Sequence, residues 1–256
     1  MRDEFGKGVS FTDLLASLEM TPKWEIPATE HSALDAPVAT TVLALRYGDG
    51  VAMLGDRQAT EGHFVAHRRI QKVFQADHFS AVAISGTAGI AVDLVRLFQT
   101  ELEHYEKLEG TRLSLDGKAT YLSRMVRQQL PLVFQGLVVV PLFCGYDEEE
   151  RTGRLYTFDV IGGRYEEHEY GATGSGSRDA KGYLRSAYRA DLDESDALDI
   201  GMRALVTASQ EDTATGGPDL ARGILPNVVT VTADGFIEVE SDQVAALASA
   251  ALGDIR

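Results

Sequence analysis

Two adjacent threonines, Thr40 and Thr41, stand where a polar leader gives way to strand-forming residues. A threonine hydroxyl is a weak nucleophile unless a base lies beside it. A free α-amino group has a reference pKa of about 7.7–8.0 and can therefore accept a proton near neutral pH. If the bond between Ala39 and Thr40 were cut, Thr40 would carry nucleophile and base on one residue. Paired threonines often begin strands, so the residues alone leave this interpretation open.

Two glycine-rich segments could be taken for nucleotide-binding loops. The run 171–176 resembles a dinucleotide fingerprint, but the preceding segment 164–170 is too charged for a buried parallel strand. The run 86–89 lacks the lysine of a phosphate-binding loop. We therefore predict no nucleotide site.

The histidines and the serines show no catalytic pattern of their own. His63 and His67 are four residues apart but lie between strand signals, and two ligands without a third make a weak metal site. No Gly-x-Ser-x-Gly motif is present. The sequence predicts neither a metal nor a cofactor.

Composition and charge narrow the class of protein. The 256 residues include 24 basic and 39 acidic side chains, and the formal net charge of −15 disfavours nucleic acid and anionic membranes as partners. No apolar stretch reaches the roughly 18–20 residues that span a bilayer, and the first residues do not form a secretory signal. Cys144 is the only cysteine, and its apolar neighbours predict a buried thiol. We expect a soluble cytoplasmic protein.

The elements that must position Thr40 follow from hydrophobic periodicity and from turn residues. Predicted strands cover 40–47, 51–55, 69–74, 79–85, 137–146, 155–161, 228–232 and 236–239, and predicted helices cover 89–108, 118–130, 180–190, 195–209 and 244–252. In the first helix, Val95, Phe98, Leu102 and Tyr105 should face inward, and Pro131 should stop the second. Grouped strands alternating with helix pairs favour a layered α+β fold.

The N-terminal segment has a different character from the rest of the chain. Residues 10–19 could form a short amphipathic helix, and prolines at 22, 27 and 37 indicate a poorly ordered connector. We therefore divide the chain into an extension, 1–39, and a domain, 40–256.

Several motifs together resemble one known family. The runs 40–45, 55–60 and 69–73 are similar to the opening of proteasome β subunits, with Asp56 and Lys72 at the family's spacing from Thr40. Further matches follow in order at 85–89, 174–177 and 212–220, so the resemblance covers about Thr40 to Val239. The segments 10–15, 101–110 and 215–220 look like the actinobacterial branch.

The resemblance implies a fold, an activity and partners. The fold would be that of the N-terminal-nucleophile hydrolases, a four-layer αββα sandwich with two antiparallel sheets between helix pairs. Residues 1–39 would be a propeptide removed by self-cleavage between Ala39 and Thr40, and 40–256 a threonine endopeptidase. Heptameric β rings, capped by rings of α subunits, would degrade unfolded, tagged proteins delivered by a ring ATPase.

The resemblance also implies the catalytic residues: Thr40, Asp56, Lys72, Gly86, Ser175, Asp212 and Thr215. Thr40 Oγ would attack the scissile carbonyl, Lys72 would favour the deprotonated hydroxyl, and Asp56 would orient Lys72. The Gly86 N–H would bind the oxyanion, and the remaining three would surround the amine. On the residues alone, a structural salt bridge is the favoured interpretation of Asp56 and Lys72, and Ser175 could simply occupy a turn.

The substrate would lie extended between the backbones of Thr60 and Ala88. Its first pocket would be lined by Ala59, Ile70, Ile84, Ala88 and Val92, with Lys72 at the base. Because these lining side chains are apolar, the sequence predicts cleavage after hydrophobic residues, a chymotrypsin-like preference.

Two positions depart from the family pattern. Val38 and Ala39 stand where this branch has histidine and glycine, and glycine eases the backbone approach that self-cleavage needs. Thr215 stands where many members have serine, which keeps the hydroxyl. The departure at Ala39 keeps open the alternative of a catalytically silent β subunit. A different N-terminal-nucleophile amidase acting on small molecules is a further alternative.

Overall fold

A computed structural model describes residues 40–61 and 64–253. The predicted helix over 10–19, the propeptide 1–39 and the processing residue Ala39 lie outside the described residues. The strands are β1 Thr41–Tyr47, β2 Gly50–Gly55, β3 Ala59–Glu61, β4 Phe64–His67, β5 Val73–Asp77, β6 Ser80–Gly86, β7 Val139–Asp147, β8 Thr152–Phe158, β9 Arg164–Glu167, β10 Tyr170–Gly174, β11 Asn227–Thr232 and β12 Gly235–Glu238. The helices are α1 Ala88–Glu109, α2 Leu115–Gln128, α3 Leu130–Val133, α4 Ser177–Ala187, α5 Glu194–Glu211 and α6 Ser241–Gly253.

The strands form two five-stranded antiparallel sheets. The first sheet has the order β10-β1-β2-β11-β12, and the second has the order β5-β6-β7-β8-β9. β3 and β4 form a separate two-stranded ribbon. β1 and β2 are the connected strands nearest the start of the domain, and β1 lies between β2 and β10. The strand that begins at Thr41, directly after Thr40, is therefore held on both sides.

Three hydrophobic clusters define four layers. Side chains of both sheets, including Val42, Met53, Leu142 and Val231, fill the space between them. A second cluster packs α1 and α2 on the outer face of the second sheet. A third packs α4 and α5, joined by α6, on the outer face of the first sheet. The order helix, sheet, sheet, helix confirms the predicted αββα sandwich, with α6 as an addition to one helix pair.

The helix α1 shows why periodicity predicted its position well. Val95, Phe98 and Leu102 recur at helical spacing and are buried, and Gly110 ends the helix in the left-handed conformation with φ 69°. Tyr105, predicted to face inward, is 38% exposed. The buried stripe ends at Leu102, and residues 103–109 of the helix are exposed.

Other boundaries differ from those predicted. The strand expected over 69–74 is displaced to β5, and the ribbon β3–β4 and the strands β9 and β10 were not predicted. Pro131 does not stop the helical backbone entirely, because it lies in the first turn of the short α3, where a missing N–H costs nothing. Cys144 is fully buried, as expected. None of the helices within the described ranges has the length and hydropathy that a bilayer crossing requires.

Candidate active site

The predicted catalytic residues come from six separate parts of the chain and meet at one end of the sandwich. Thr40 directly precedes β1, Asp56 follows β2, and Lys72 precedes β5. Gly86 ends β6, Ser175 follows β10, and α5 ends just before Asp212 and Thr215. Each residue therefore lies at the end of a regular element, where the element fixes the backbone and the side chain remains available for chemistry.

Asp56 is a fully buried carboxylate with four donors. Its Oδ1 accepts from the Thr41 N–H at 2.8 Å and from Lys72 Nζ at 2.5 Å. Its Oδ2 accepts from the N–H groups of Gln58 and Gly216, both at 2.9 Å. A buried charge is costly unless it is paired and hydrogen-bonded, and both conditions are met here. Asp56 is thus fixed in position and cannot turn away from Lys72.

Lys72 is only 2% exposed and bridges two acceptors. Its Nζ donates to Asp56 Oδ1 and to the Gln58 carbonyl, each at 2.5 Å. Burial lowers the pKa of Lys72, and the nearby charges of Asp56 and Asp212 oppose that shift. The backbone is fixed as well, because the Lys72 N–H donates to Asn227 Oδ1 at 3.1 Å. These contacts fix both the backbone and the side chain of Lys72 beside the start of β1.

The carbonyl of Thr40 is anchored to the turn after β10. Ser175 donates its N–H to the Thr40 oxygen at 3.1 Å. Gly174 makes this approach possible, because its φ is 103° and a Cβ there would lie 1.6 Å from that oxygen. Thr40 is 6% exposed. The position of residue 40 is therefore set by backbone contacts on the β10 side.

A second carboxylate, Asp212, accepts hydrogen bonds from two hydroxyl groups of the site. Its Oδ2 accepts from Ser175 Oγ and from Thr215 Oγ1, both at 2.5 Å. Thr215 Oγ1 is in turn 2.6 Å from Thr41 Oγ1, which also accepts the Gly176 N–H at 2.9 Å. The structure thus brings Ser175, Asp212 and Thr215 together, as the resemblance implied, and adds Thr41 to the group.

A small, partly open cavity lies beside Thr40. It is lined by Thr40, Ala59, Ile70, Gln71, Lys72, Ile84, Ser85, Gly86, Ala88, Ala91 and Val92. The set includes all five residues predicted for the first substrate pocket, together with Lys72. The lining side chains other than Lys72 carry no charge, so the cavity matches an uncharged side chain better than a charged one.

The backbone conformation of Gly86 and the strand position of Thr60 are compatible with their predicted roles. Gly86 has φ 105°, and a Cβ there would lie 2.0 Å from the Val138 oxygen, so only glycine fits. Thr60 belongs to β3, which pairs with β4 and with no other described strand. The free edge of β3 and Ala88 at the start of α1 flank the cavity, an arrangement that can accept an extended peptide.

A wider cleft opens between β9 and β10, but it contains none of the predicted site residues. Its lining includes Glu167, His168, Tyr170, Ser177 and Lys181. The chemistry-bearing residues are grouped instead at the smaller cavity beside Thr40.

The sequence did not assign roles to several residues that hold this site together. They are Thr41, Gln58, Gln71, Gly176, Gly216 and Asn227. The threonine pair in the sequence could have drawn attention to Thr41. Gln58 and Gly216 act through main-chain groups, and side-chain type gives no indication of such a role.

Comparison with known proteins places the chain in a family. Residues 38–219 match the family model described as "Proteasome subunit". The proteasome subunit beta of Acidimicrobium ferrooxidans is 54% identical over 217 residues, which cover 84% of this chain and 80% of that protein.

Two further actinobacterial relatives have the same description. The proteasome subunit beta of Acidothermus cellulolyticus is 51% identical over 240 residues, covering 92% of this chain and 82% of the relative. That of Streptomyces griseus is 49% identical over 241 residues, covering 92% and 86%. Together with the sandwich fold, these matches show that the chain belongs to the proteasome subunit family, among the β subunits of actinobacteria.

Proposed function

We propose that this chain is a proteolytic subunit of a proteasome core and that Thr40 is its nucleophile once residues 1–39 have been removed. The observation that carries the proposal is the grouping of Thr40, Lys72 and Gly86 around one uncharged cavity, with Lys72 held by the buried Asp56. A structural salt bridge alone would not require the lysine to line a cavity together with a threonine at a strand start.

The proposed chemistry uses the two groups of Thr40 and the charge of Lys72. The α-amine takes the proton of Oγ, and Oγ attacks the peptide carbonyl to give a tetrahedral intermediate. The Gly86 N–H stabilises the oxyanion. The intermediate collapses to an ester on Thr40, the leaving amine takes the proton, and water then hydrolyses the ester. The positive charge of Lys72 stabilises the negative charge that develops on Thr40 Oγ.

The proposed assembly follows from the family. The chain would join other β subunits in heptameric rings, capped by α subunits, with a ring ATPase delivering unfolded, tagged proteins. Enclosure in a chamber suits this site, since an uncharged pocket selects weakly among cellular proteins. The proposed compartment is the cytoplasm, where a lone buried thiol such as Cys144 stays reduced.

The test of the proposal is whether activity follows the release of Thr40. We expect the assembled protein to have the intact mass of residues 40–256, and a partly processed preparation to hydrolyse a short peptide in proportion to the processed fraction. Full activity with an uncleaved leader would contradict the role of Thr40. An uncleaved and inactive assembly would favour the silent subunit, and faster turnover of a small amide than of a peptide would favour the amidase.

The cavity lining predicts the cleavage preference. Ile70, Ile84 and Val92 present apolar surface, and burial of an apolar side chain there contributes roughly 25 cal/mol per Å². We expect kcat/KM for peptides with leucine or phenylalanine before the cut to exceed that for arginine or glutamate by about 10-fold or more. Matched fluorogenic peptides that differ at this one position measure the ratio, and faster cleavage after a charged residue would contradict it.

A further inference from the structure

Thr41 is connected to both carboxylates of the site, directly to Asp56 and through Thr215 to Asp212, although its side chain does not line the cavity. It is fully buried in β1, and its N–H donates to Asp56 Oδ1 at 2.8 Å. Its Oγ1 lies 2.6 Å from Thr215 Oγ1, and Thr215 binds Asp212. Thr41 therefore connects the pair of Asp56 and Lys72 to the group around Asp212.

The direction of the hydrogen bonds through Thr41 is determined by its neighbours. The Gly176 N–H can only donate, so Thr41 Oγ1 accepts at 2.9 Å. Thr215 has one hydroxyl proton, which it donates to Asp212 Oδ2. Thr41 must then donate to Thr215. The bonds run in one sense, from Gly176 through Thr41 and Thr215 to Asp212.

This directed chain controls the orientation of two groups near Thr40. It fixes which way the Thr215 hydroxyl points, and it holds Gly176 in the turn whose Ser175 N–H binds the Thr40 carbonyl. The space is tight, because a Cβ on Gly176 would lie 2.6 Å from Thr215 Oγ1 and 2.9 Å from Thr41 Oγ1. A lost hydroxyl at residue 41 would leave the buried Gly176 N–H without an acceptor.

We propose that Thr41 is a positioning residue for the reaction, and that its hydroxyl orients Thr215, Asp212 and the Ser175–Gly176 turn around the amine of Thr40. The inference rests on the proposed function of Thr40. It assigns Thr41 an effect on turnover rather than on substrate binding, because the hydrogen-bond partners of its hydroxyl, Thr215 and Gly176, are not among the residues that line the cavity.

The test replaces Thr41 with valine, which keeps the shape and the preference for strands, and with serine, which keeps the hydroxyl. For the assembled full chain, kcat is taken per subunit that mass spectrometry shows to begin at Thr40. We expect Thr41→Val to lower kcat about 10- to 100-fold, because the groups around the amine lose their fixed geometry. KM should stay within about 3-fold, and Thr41→Ser should restore most of kcat.

The control is Thr230→Val, the same chemical change at a threonine that is 3% exposed in β11 of the same sheet. It should leave kcat unchanged. Normal kcat in Thr41→Val, an equal loss in Thr230→Val, a change confined to KM, or no recovery in Thr41→Ser would each overturn the proposal. If Thr41→Val alone retains residues 1–39, the proposal is supported, since release of Thr40 would use Thr40 Oγ and the same groups that Thr41 positions.

A further variant separates this proposal from the proposed function. Thr40→Ala should be inactive. Activity in Thr40→Ala would overturn the proposed function itself, whereas an inactive Thr40→Ala with a fully active Thr41→Val would overturn only the role of Thr41.

Discussion

Replacing Thr40 with alanine is expected to lower peptide hydrolysis by about 10⁴-fold or more, because the reaction loses the atom that forms the covalent bond. The change should leave the fold intact, since the contact that anchors residue 40 uses its main-chain carbonyl and the Ser175 N–H. Release of the leader should stop as well. Initial rates on a short leucine-containing peptide, together with intact mass, measure both effects.

Thr40→Ser provides the matched control, since it restores a hydroxyl at the same position. We expect it to regain most of the lost rate and to release residues 1–39. If Thr40→Ala kept more than a tenth of the activity, the nucleophile would have to be sought elsewhere in the chain.

Replacing Lys72 with methionine is expected to lower kcat by about 10³-fold, because the charge beside the developing alkoxide is removed. The same change leaves the fully buried Asp56 without its cation and should lower the free energy of unfolding by about 3–5 kcal/mol. Steady-state kinetics and denaturant unfolding of the chain would separate the two effects.

A second buried ion pair supplies the control for stability. Lys118 Nζ lies 2.6 Å from Asp77 Oδ2, with side chains 5% and 15% exposed, and neither residue lines the cavity beside Thr40. Lys118→Met should therefore lower stability by a comparable amount while leaving kcat near normal. Equal losses of kcat in Lys72→Met and Lys118→Met would mean that Lys72 acts through the fold alone.

The layered fold was predictable from the sequence because most of its elements bury one face. The periodic residues of α1, and the β-branched runs of β1 and β11, predicted their elements to within a few positions. The short ribbon β3–β4 was not predictable in this way, since all four residues of β4 are exposed and show no alternation. β9 is an edge strand with charged residues, and only pairing with β8 defines it.

The misplaced strand at 69–74 has a specific cause. Ile70 and Val73 are strand-forming residues, but the segment before β5 is held by side-chain and loop contacts instead. The Ile70 N–H donates to the Arg57 carbonyl, and Lys72 binds Asn227 and Asp56. Contacts between residues so far apart in the chain leave no periodic signal in a local window.

The site was predictable as a set of residue types and not as a network. Motif spacing, through the family resemblance, named Asp56 and Lys72, and the structure brings them into contact. The bond between Thr41 and Thr215 joins positions 174 residues apart, and no local pattern indicates it. The same is true of Gly216, whose N–H reaches Asp56 across 160 residues.

Because β1 is paired on both sides, its register fixes where residues 40 and 41 lie relative to the site, and so which bond the proposed maturation must cut. Thr41 lies opposite Gly174, and Val42 lies opposite both Thr173 and Gly55. A cut one bond early would leave an alanine at the chain start and keep the Thr40 nitrogen inside a peptide bond. A cut one bond late would expose Thr41, whose hydroxyl is already engaged by Gly176. The proposed chemistry therefore requires the cut to fall at the bond directly before Thr40.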